Sequence, residues 1–418
     1  MVVKPNKCPI CGSSEISPFL DLGKQPPANA LADSLEGALS MVKASLSLSM
    51  CNNCLYIRLS ENISEINLFN NNTYLSGISK QTKNDLYDLA SDCITECFLS
   101  PSSKILDIAS NDGTLLEYFK EREMQILGID PSKPAYEAAT AKGIPTINDF
   151  FKSSITGEIK NRIGKVDLIT GANIITHVPD PVVFLVSCKE VLKKEGSIVL
   201  EFYYVESIFT NIAFDQVYHE HVSYFNLHNF MRLINNVGLE IYKVKKVSSQ
   251  GGSLRVFISF PGLNPVGSSI SKLLSEEMEG QEQRNRYTDF PKKVFKRKLE
   301  IEKIINEAKN LGKKIVGYGA AAKATVLLNY VNVSSDSIIC IGDKSPLKQG
   351  KFIPGVGIPV VSPDKLAETN ADLLIIFSWN LKKEILQFLN NLKWNKNIKA
   401  ITLMPEIEIY EIRSTEMI

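Results

Sequence analysis

"SSKILDIASNDGTLLEYFKERE" (residues 102–123) reads as strand, turn and helix. Lys104 to Ile108 is the strand, and the helix is under way from Leu115 to Lys120. The unit repeats in "ILGIDPSKPAYEAATAKG" (126–143), with Asp130 at the strand end. "INDFF" (147–151) comes next, then apolar strands in "VDLITGANIITHV" (166–178) and "GSIVLEFYYV" (196–205). Strands alternating with helices predict an α/β fold, a parallel sheet wound on both faces. Ligands in such sheets bind beyond the carboxyl ends of the strands.

The turn after the first strand restricts the ligand. A dinucleotide fold calls for G-x-G-x-x-G there, but "DIASNDG" holds one glycine, Gly113, and an acid, Asp107. Pyrophosphate needs bare amides and a positive dipole end, and a neighbouring carboxylate repels it. S-adenosylmethionine (SAM) suits the turn better, because its amino group is cationic and it has no phosphate. Asp130 is placed to accept hydrogen bonds from both ribose hydroxyls. Asp149, one connection later, is placed to accept from adenine N6.

The 418 residues predict two or three domains. A net charge of +1 offers no electrostatic case for nucleic acid or an anionic membrane. No apolar run approaches the ~18 residues of a transmembrane helix, and the N-terminus lacks a signal-peptide stretch. A cytoplasmic protein is expected, and a monomer, since no sustained heptad appears.

Eight cysteines in such a chain point to metal or buried thiols rather than disulfides. Cys8-x-x-Cys11 and Cys51-x-x-Cys54 are matching halves of a tetrahedral four-sulfur site, which zinc prefers. Gly12 suits the positive φ of such turns. Four protein ligands leave no open position, so the zinc is expected to be structural. Two redox pairs are the alternative. Cys188 and Cys340, in apolar contexts, read as core residues.

"DQVYHEHVSYF" (215–225) packs two of the chain's four histidines, a glutamate and two tyrosines into eleven residues. If the segment is extended, Tyr218 and Glu220 share a face. If it turns, Tyr218 and His221 come together. A second metal at His219 and His221, and a structural segment whose aromatic residues cover a core with His219 outward, are the alternatives to catalysis.

From about Pro261 the character changes. "GLNPVGSS" (262–269) reads as a linker, and residues 269–312 as charged helix. "KKIVGYGAAAKATVLLNYV" (313–331) is a strand, glycine turn and helix, with Lys323 just inside the helix start, where a diphosphate could sit. Strands at "IICIGD" (338–343), ending in Asp343, and "ADLLIIF" (371–377) complete a second Rossmann-like domain. The predicted modules are residues 1–75, 76–260 and 261–418.

"DIASNDGTLLEYF" resembles the SAM loop of the C-3 methyltransferases of nucleotide-linked deoxysugars, where the usual form is E-I-G-S-N-D-G; Asp107 and Ala109 replace the Glu and first Gly. "GANIITHVPDP" (171–181) is similar to the family's A-N-x-x-x-H-x-P-D segment. "GYGAAAK" (317–323) and "DKSPLKQGKFIPG" (343–355) match its C-terminal motifs. The resemblance covers nearly the whole chain. It implies a zinc domain, a class I methyltransferase core and a Rossmann-like C-terminal domain that helps hold the nucleotide-sugar.

The implied reaction is methylation at C3 of a nucleotide-linked 4-keto-6-deoxysugar. The implied SAM contacts are Asp107, Ala109, Asn111, Asp112, Gly113, Asp130, Asp149 and Asn173. "VYHEHVSYF" resembles the family's active-site segment, which assigns Tyr218, Glu220 and His221 to the sugar. His221 is the first choice of base and Glu220 the second. Tyr74 matches one tyrosine of the family's Y-x-Y-x-S-S stretch, with Asn72 and Gly77 departing from it. "SSQGGSLRVFIS" (248–259) resembles a further segment, in which Arg255 is expected at a phosphate. Tyr318, Lys323, Asp343 and Lys351 are the expected substrate contacts of the last domain. An O- or N-methyltransferase on a small molecule, and a zinc-containing scaffold with an inactive core, are the competing functions.

Overall fold

The computed structural model describes residues 7–63, 74–278, 281–331, 333 and 336–414. It separates into two compact units, each assembled from non-consecutive segments. The first takes residues 1–19, 48–206 and 221–283, and the second 20–47, 207–220 and 284–418.

Four short strands, β1 (Ile16–Gln25), β2 (Ala44–Cys51), β3 (Ile57–Leu59) and later β9 (Ser223–Tyr224), pair in the order β1-β2-β3-β9. The large sheet of the first unit holds β4 (Lys104–Ile108), β5 (Gln125–Ile129), β6 (Thr146–Ile147), β7 (Val166–Ala172), β8 (Leu192–Tyr203), β10 (Glu240–Val247) and β11 (Ser253–Ser259). Its order is β10-β11-β8-β7-β4-β5-β6, and β4 to β8 are mutually parallel. β11 runs antiparallel to both β8 and β10. That inverted strand breaks the all-parallel sheet expected from the sequence. "SLRVFIS" is buried throughout, and a strand buried on both faces carries no local sign of its direction.

The β4 strand and its helix, Thr114–Lys120, match the expected pattern within a residue. The connecting turn is tight. Ala109 (φ 59°), Asn111 (φ 50°) and Gly113 (φ 75°) all adopt the left-handed backbone. At Gly113 a side chain is doubly excluded, since a Cβ would lie 2.9 Å from Ile144. Ala109 carries its methyl in a conformation that costs an L-residue roughly 1–2 kcal/mol.

In the second unit, β12 (Ile315–Tyr318), β13 (Ile341–Gly342), β14 (Val360–Val361), β15 (Leu373–Ile376), β16 (Ile398–Thr402) and β17 (Glu408–Ile412) form a sheet ordered β14-β13-β12-β15-β16-β17. All pairs are parallel except β16–β17. The charged segment is helical over Ser268–Met278 and Gln281–Asn310. Arg297 anchors the longer helix by donating to the carbonyls of Leu403 (2.6 Å) and Pro405 (2.9 Å). Among the described residues no helix is long and apolar enough to cross a membrane.

Ala109→Gly is expected to raise unfolding free energy by about 1 kcal/mol, because relief of the left-handed strain outweighs the added freedom of the unfolded chain. Urea titration checks it. An unchanged or lowered midpoint would mean that the turn relaxes around alanine.

Candidate active site

The zinc-type cluster is built from two matching turns. Gly12 N donates to Cys8 O at 2.9 Å, and Leu55 N to Cys51 O at 2.8 Å. The residue after each second cysteine takes positive φ, 73° at Gly12 and 58° at Leu55. The two turns bring Cys8 Sγ to 3.6 Å from Cys54 Sγ and Cys11 Sγ to 3.5 Å from Cys51 Sγ. All four sulfurs lie within 4.8 Å of one another. Tetrahedral zinc with Zn–S near 2.3 Å places its sulfurs ~3.8 Å apart, so the donor set fits. Cys188 and Cys340 are buried, as expected of core thiols.

The cluster braces β3 and, through it, β9. β3 pairs with β9 through Ile57↔Tyr224 and Arg58↔Ser223. Tyr56 OH meets Ser223 Oγ at 2.5 Å, and Leu59 N donates to Val222 O at 2.9 Å. His221 immediately precedes this pairing. It is buried, with its ring 4.9 Å from that of His177, 4.8 Å from Tyr203 and 6.4 Å from Tyr224, centroid to centroid. The main chain joins the same elements, since Val222 N and Ser223 N both donate to Thr176 O. The segment is therefore a turn into a short strand. The sequence left this choice open. His177 received no role from the sequence, although it lies in the quoted "GANIITHVPDP".

Glu220 and His219 belong to the second unit. Glu220 is buried, and its Oε1 accepts from Asn29 Nδ2 at 3.0 Å. Burial raises its carboxyl to about 7, although the Asn29 contact works the other way. Asn29 is 191 positions away, so nothing local points to it. His219 is buried rather than outward, with Nε2 at 3.2 Å from Ser45 O, and burial lowers its pKa. Tyr218 is also buried.

The loop after β4 is held by carboxylates. Asp130 accepts from Asn111 N (2.9 Å) and Ser132 N (2.8 Å), one with each oxygen. Asp107 accepts from Thr170 Oγ1 at 2.7 Å, a contact set by the β4–β7 register that places the two opposite each other. Burial raises Asp107 to about 7 and Asp130 to about 6. Asp112 holds Thr114 and Gly77: its Oδ1 accepts from Thr114 Oγ1 (2.7 Å) and its Oδ2 from Gly77 N (2.9 Å). A Cβ at Gly77 would lie 2.5 Å from Asp112 Oδ2, so the departure from serine there permits this approach.

Asn111 ties in the Tyr74 stretch, accepting from Ser76 N (2.8 Å) and donating to Tyr74 O (3.0 Å). Tyr74 itself is 42% exposed; Asn72 lies outside the described residues. Asn173, at φ 64°, donates its amide to Glu201 O and keeps a buried Oδ1 without a partner. That orphaned acceptor at the end of β7 fits a cationic amino group. Asp149 is partly exposed and pairs with Lys152 at 3.2 Å.

Arg255 is not at a phosphate site. Its guanidinium is buried and engages Glu201 (2.7 Å), Asp88 (3.1 Å) and Asp92. β11 places it opposite Glu201 on β8, so the charges meet across the sheet. In the second unit, Lys351 pairs with Asp33 at 2.9 Å. Asp343 accepts from Ala320 N and Ser345 N, each at 2.8 Å. Lys323 is buried and donates to Asn380 Oδ1 at 2.6 Å. Tyr318 has a buried hydroxyl without a partner, and burial raises its pKa well above the usual tyrosine range.

Three families of known proteins match successive parts of the chain. A zinc binding domain family matches residues 8–69, a methyltransferase domain family 82–244, and a C-methyltransferase C-terminal domain family 248–405. The C-methyltransferase NovU of Streptomyces niveus is 27% identical over 421 aligned residues, covering 99% of each chain. A ubiquinone biosynthesis O-methyltransferase of Actinobacillus pleuropneumoniae is 31% identical over 101 residues, which is 22% of this chain and 42% of that one. The protein is thus a SAM-dependent methyltransferase with a class I core and a four-cysteine zinc site. Along the chain, a zinc-binding segment, a methyltransferase segment and a segment similar to a C-methyltransferase C-terminal domain follow one another in that order.

Two outcomes test the site. Cys54→Ser is expected to lose nearly all zinc and to melt at least ~10 °C lower, since zinc binding is coupled to folding; metal analysis and calorimetry read both. Stoichiometric zinc in that variant would break the four-ligand assignment. For Glu220 the sign follows from its pKa, about 7 folded against 4.5 for an ordinary glutamate. The folded state holds a proton that the unfolded chain releases between those values. Its stabilising contribution is full below the lower pKa and is lost as pH rises through the upper one. Relative to Glu220→Gln, the wild type should lose about 3 kcal/mol between about pH 4.5 and pH 7.5. Parallel stability curves for the two proteins would exclude a neutral Glu220.

Proposed function

We propose that the protein is a C-methyltransferase that adds a methyl group to C3 of a nucleotide-linked 4-keto-6-deoxysugar. It acts as a cytoplasmic monomer with no nucleic-acid partner, in three modules at 1–75, 76–260 and 261–418. The observation that carries the reading is the end-to-end similarity to a C-methyltransferase, spanning all three domain types.

SAM supplies an electrophilic methyl group. Asp130 would hold its ribose, Asp149 its adenine, and Asn173 Oδ1 its amino group, within the loop of Asp107, Ala109, Asn111, Asp112 and Gly113. A carbon acceptor must first become a nucleophile, and a proton α to a ketone is acidic enough for a side-chain base to remove. In this reading His221 takes the C3 proton, and the bonding pair moves into an enolate whose negative charge rests on O4. C3 then forms its bond to the methyl carbon as the carbon–sulfur bond breaks and sulfur keeps that pair. Tyr218, Glu220 and Tyr74 orient the sugar or donate to the enolate oxygen.

The burial of His221 against His177 and Tyr203 supports a base in a fixed orientation. A second assignment rests on Glu220, whose pKa near 7 also suits proton transfer at neutral pH. Of the substrate contacts assigned to the second unit, Tyr318 retains an unsatisfied buried hydroxyl.

Incubation with nucleoside-diphosphate 4-keto-6-deoxyhexoses and SAM should yield a product heavier by one CH₂. In deuterated water without SAM, the wild type should wash deuterium into C3. His221→Ala should remain folded and lose about 10²- to 10⁴-fold of both activities. Near-native wash-in by His221→Ala together with its loss in Glu220→Gln would transfer the base role to Glu220. Methyl transfer to oxygen or nitrogen with no wash-in would end the carbon-acid mechanism.

A further inference from the structure

The second sheet has a topological switch point. Its central strand β12 is flanked by β13 on one side and β15 on the other, all parallel. The crevice beyond the carboxyl ends of β12 and β15 is where such a fold ordinarily receives a ligand. Here protein groups from the chain's own middle occupy that place. Lys323 lies after β12 in the chain, and Trp379 and Asn380 lie after β15. Facing them is the turn Phe214–Gln216, which packs against the helix Ala322–Tyr330.

The contacts are specific. Trp379 Nε1 donates to Asp215 Oδ2 at 2.8 Å. Lys323 Nζ donates to Asn380 Oδ1 at 2.6 Å and lies 4.9 Å from the centre of the Trp379 ring. The ring of Phe214 lies 5.3 Å from that of Tyr330, at the far end of the helix. Asp215 is fully buried and Lys323 is 7% exposed. The glycine loop beside them is also filled from within, as Asp343 takes the Ala320 amide and Lys348 Nζ donates to Ala320 O at 2.8 Å. All these residues belong to the second unit, and so do Tyr218 and Glu220, three and five positions after Asp215.

We propose that Asp215 is a positioning residue: with Lys323, Trp379 and Asn380 it clamps residues 214–220, the segment that carries Tyr218 and Glu220, onto the switch point of the C-terminal sheet. On this reading Lys323 is an internal counter-ion and not a phosphate ligand. Burial drives both groups toward neutrality, Asp215 up to about 6 and Lys323 down to about 8, while each one's charge opposes the shift of the other. Between those values both are ionised, and removing either leaves the other as an unpaired buried charge, which a fold tolerates poorly. The catalytic half of the proposal rests on the proposed function; the structural half does not.

Asp215→Asn keeps an acceptor for Trp379 while deleting the charge, and Lys323→Met deletes its partner. Hydrogen exchange without substrate reads the clamp: each variant should speed exchange of the peptide spanning 214–220 by about tenfold or more, through added local opening. With a nucleoside-diphosphate 4-keto-6-deoxyhexose, each should lower kcat about tenfold, with KM for the sugar within about twofold. The double variant should be no worse than either single one. Asn380→Ala, which keeps both charges, serves if Asp215→Asn fails to fold, and should give a weaker form of the same pattern.

A large rise in KM for Lys323→Met at unchanged kcat, with Asp215→Asn silent, would restore Lys323 to the phosphate and overturn the clamp. Unchanged exchange in both variants would overturn it whatever the enzyme's substrate. A protein without methyl transfer but with accelerated exchange would keep the clamp while rejecting the proposed function.

Discussion

The pairing of β3 with β9 is the contact that holds the chain around His221 in the first unit. β9 is two residues long and would not persist alone, because so few ladder bonds cannot offset the entropy of ordering it. It is held by β3, by Tyr56 on Ser223 and by Leu59 on Val222. Those residues come directly after Cys51 and Cys54 in the chain. Zinc thus contributes to the site without touching it. Four thiolates around one ion lock the turn before β3, β3 locks β9, and β9 fixes the chain next to His221.

Four buried carboxylates, two at strand ends and two in turns, recur through both units. Asp107, Asp130, Asp215 and Glu220 are all held above the usual carboxylate range, and in each case burial is the main cause. Each is compensated by specific donors. Asp130 takes two backbone amides, Asp107 a threonine, Asp215 an indole and a lysine's charge, and Glu220 an asparagine. These acids order the loops around them before any ligand arrives. Such preorganisation is how a methyltransferase lowers the cost of bringing two reactants into line.

Much of this was legible in the chain. The strand at 104–108, its helix, the four zinc ligands and the second Rossmann-like sheet all have local signatures: apolar runs, turn residues and Cys-x-x-Cys spacing. The left-handed turn was legible at Gly113 but not at Ala109 or Asn111; the amide of Asn111 is held by the carboxylate of Asp130, 19 positions away. Arg255 shows why a motif can mislead. A guanidinium after two glycines looks like a phosphate ligand until β11 is seen to reverse and set it opposite Glu201.

By itself, the sequence determined the elements, the metal and the class of cofactor, because each is written in residues close together or in repeated spacing. Tertiary structure alone decided that β11 runs backward, that His177 meets His221, that Asn29 supports Glu220, and that Trp379 stands between Asp215, which accepts from its indole, and Lys323, which lies over its ring. The reason is physical. Local signals record the backbone's own preferences, whereas the partner of a buried charge is chosen by whichever distant group the fold brings within reach.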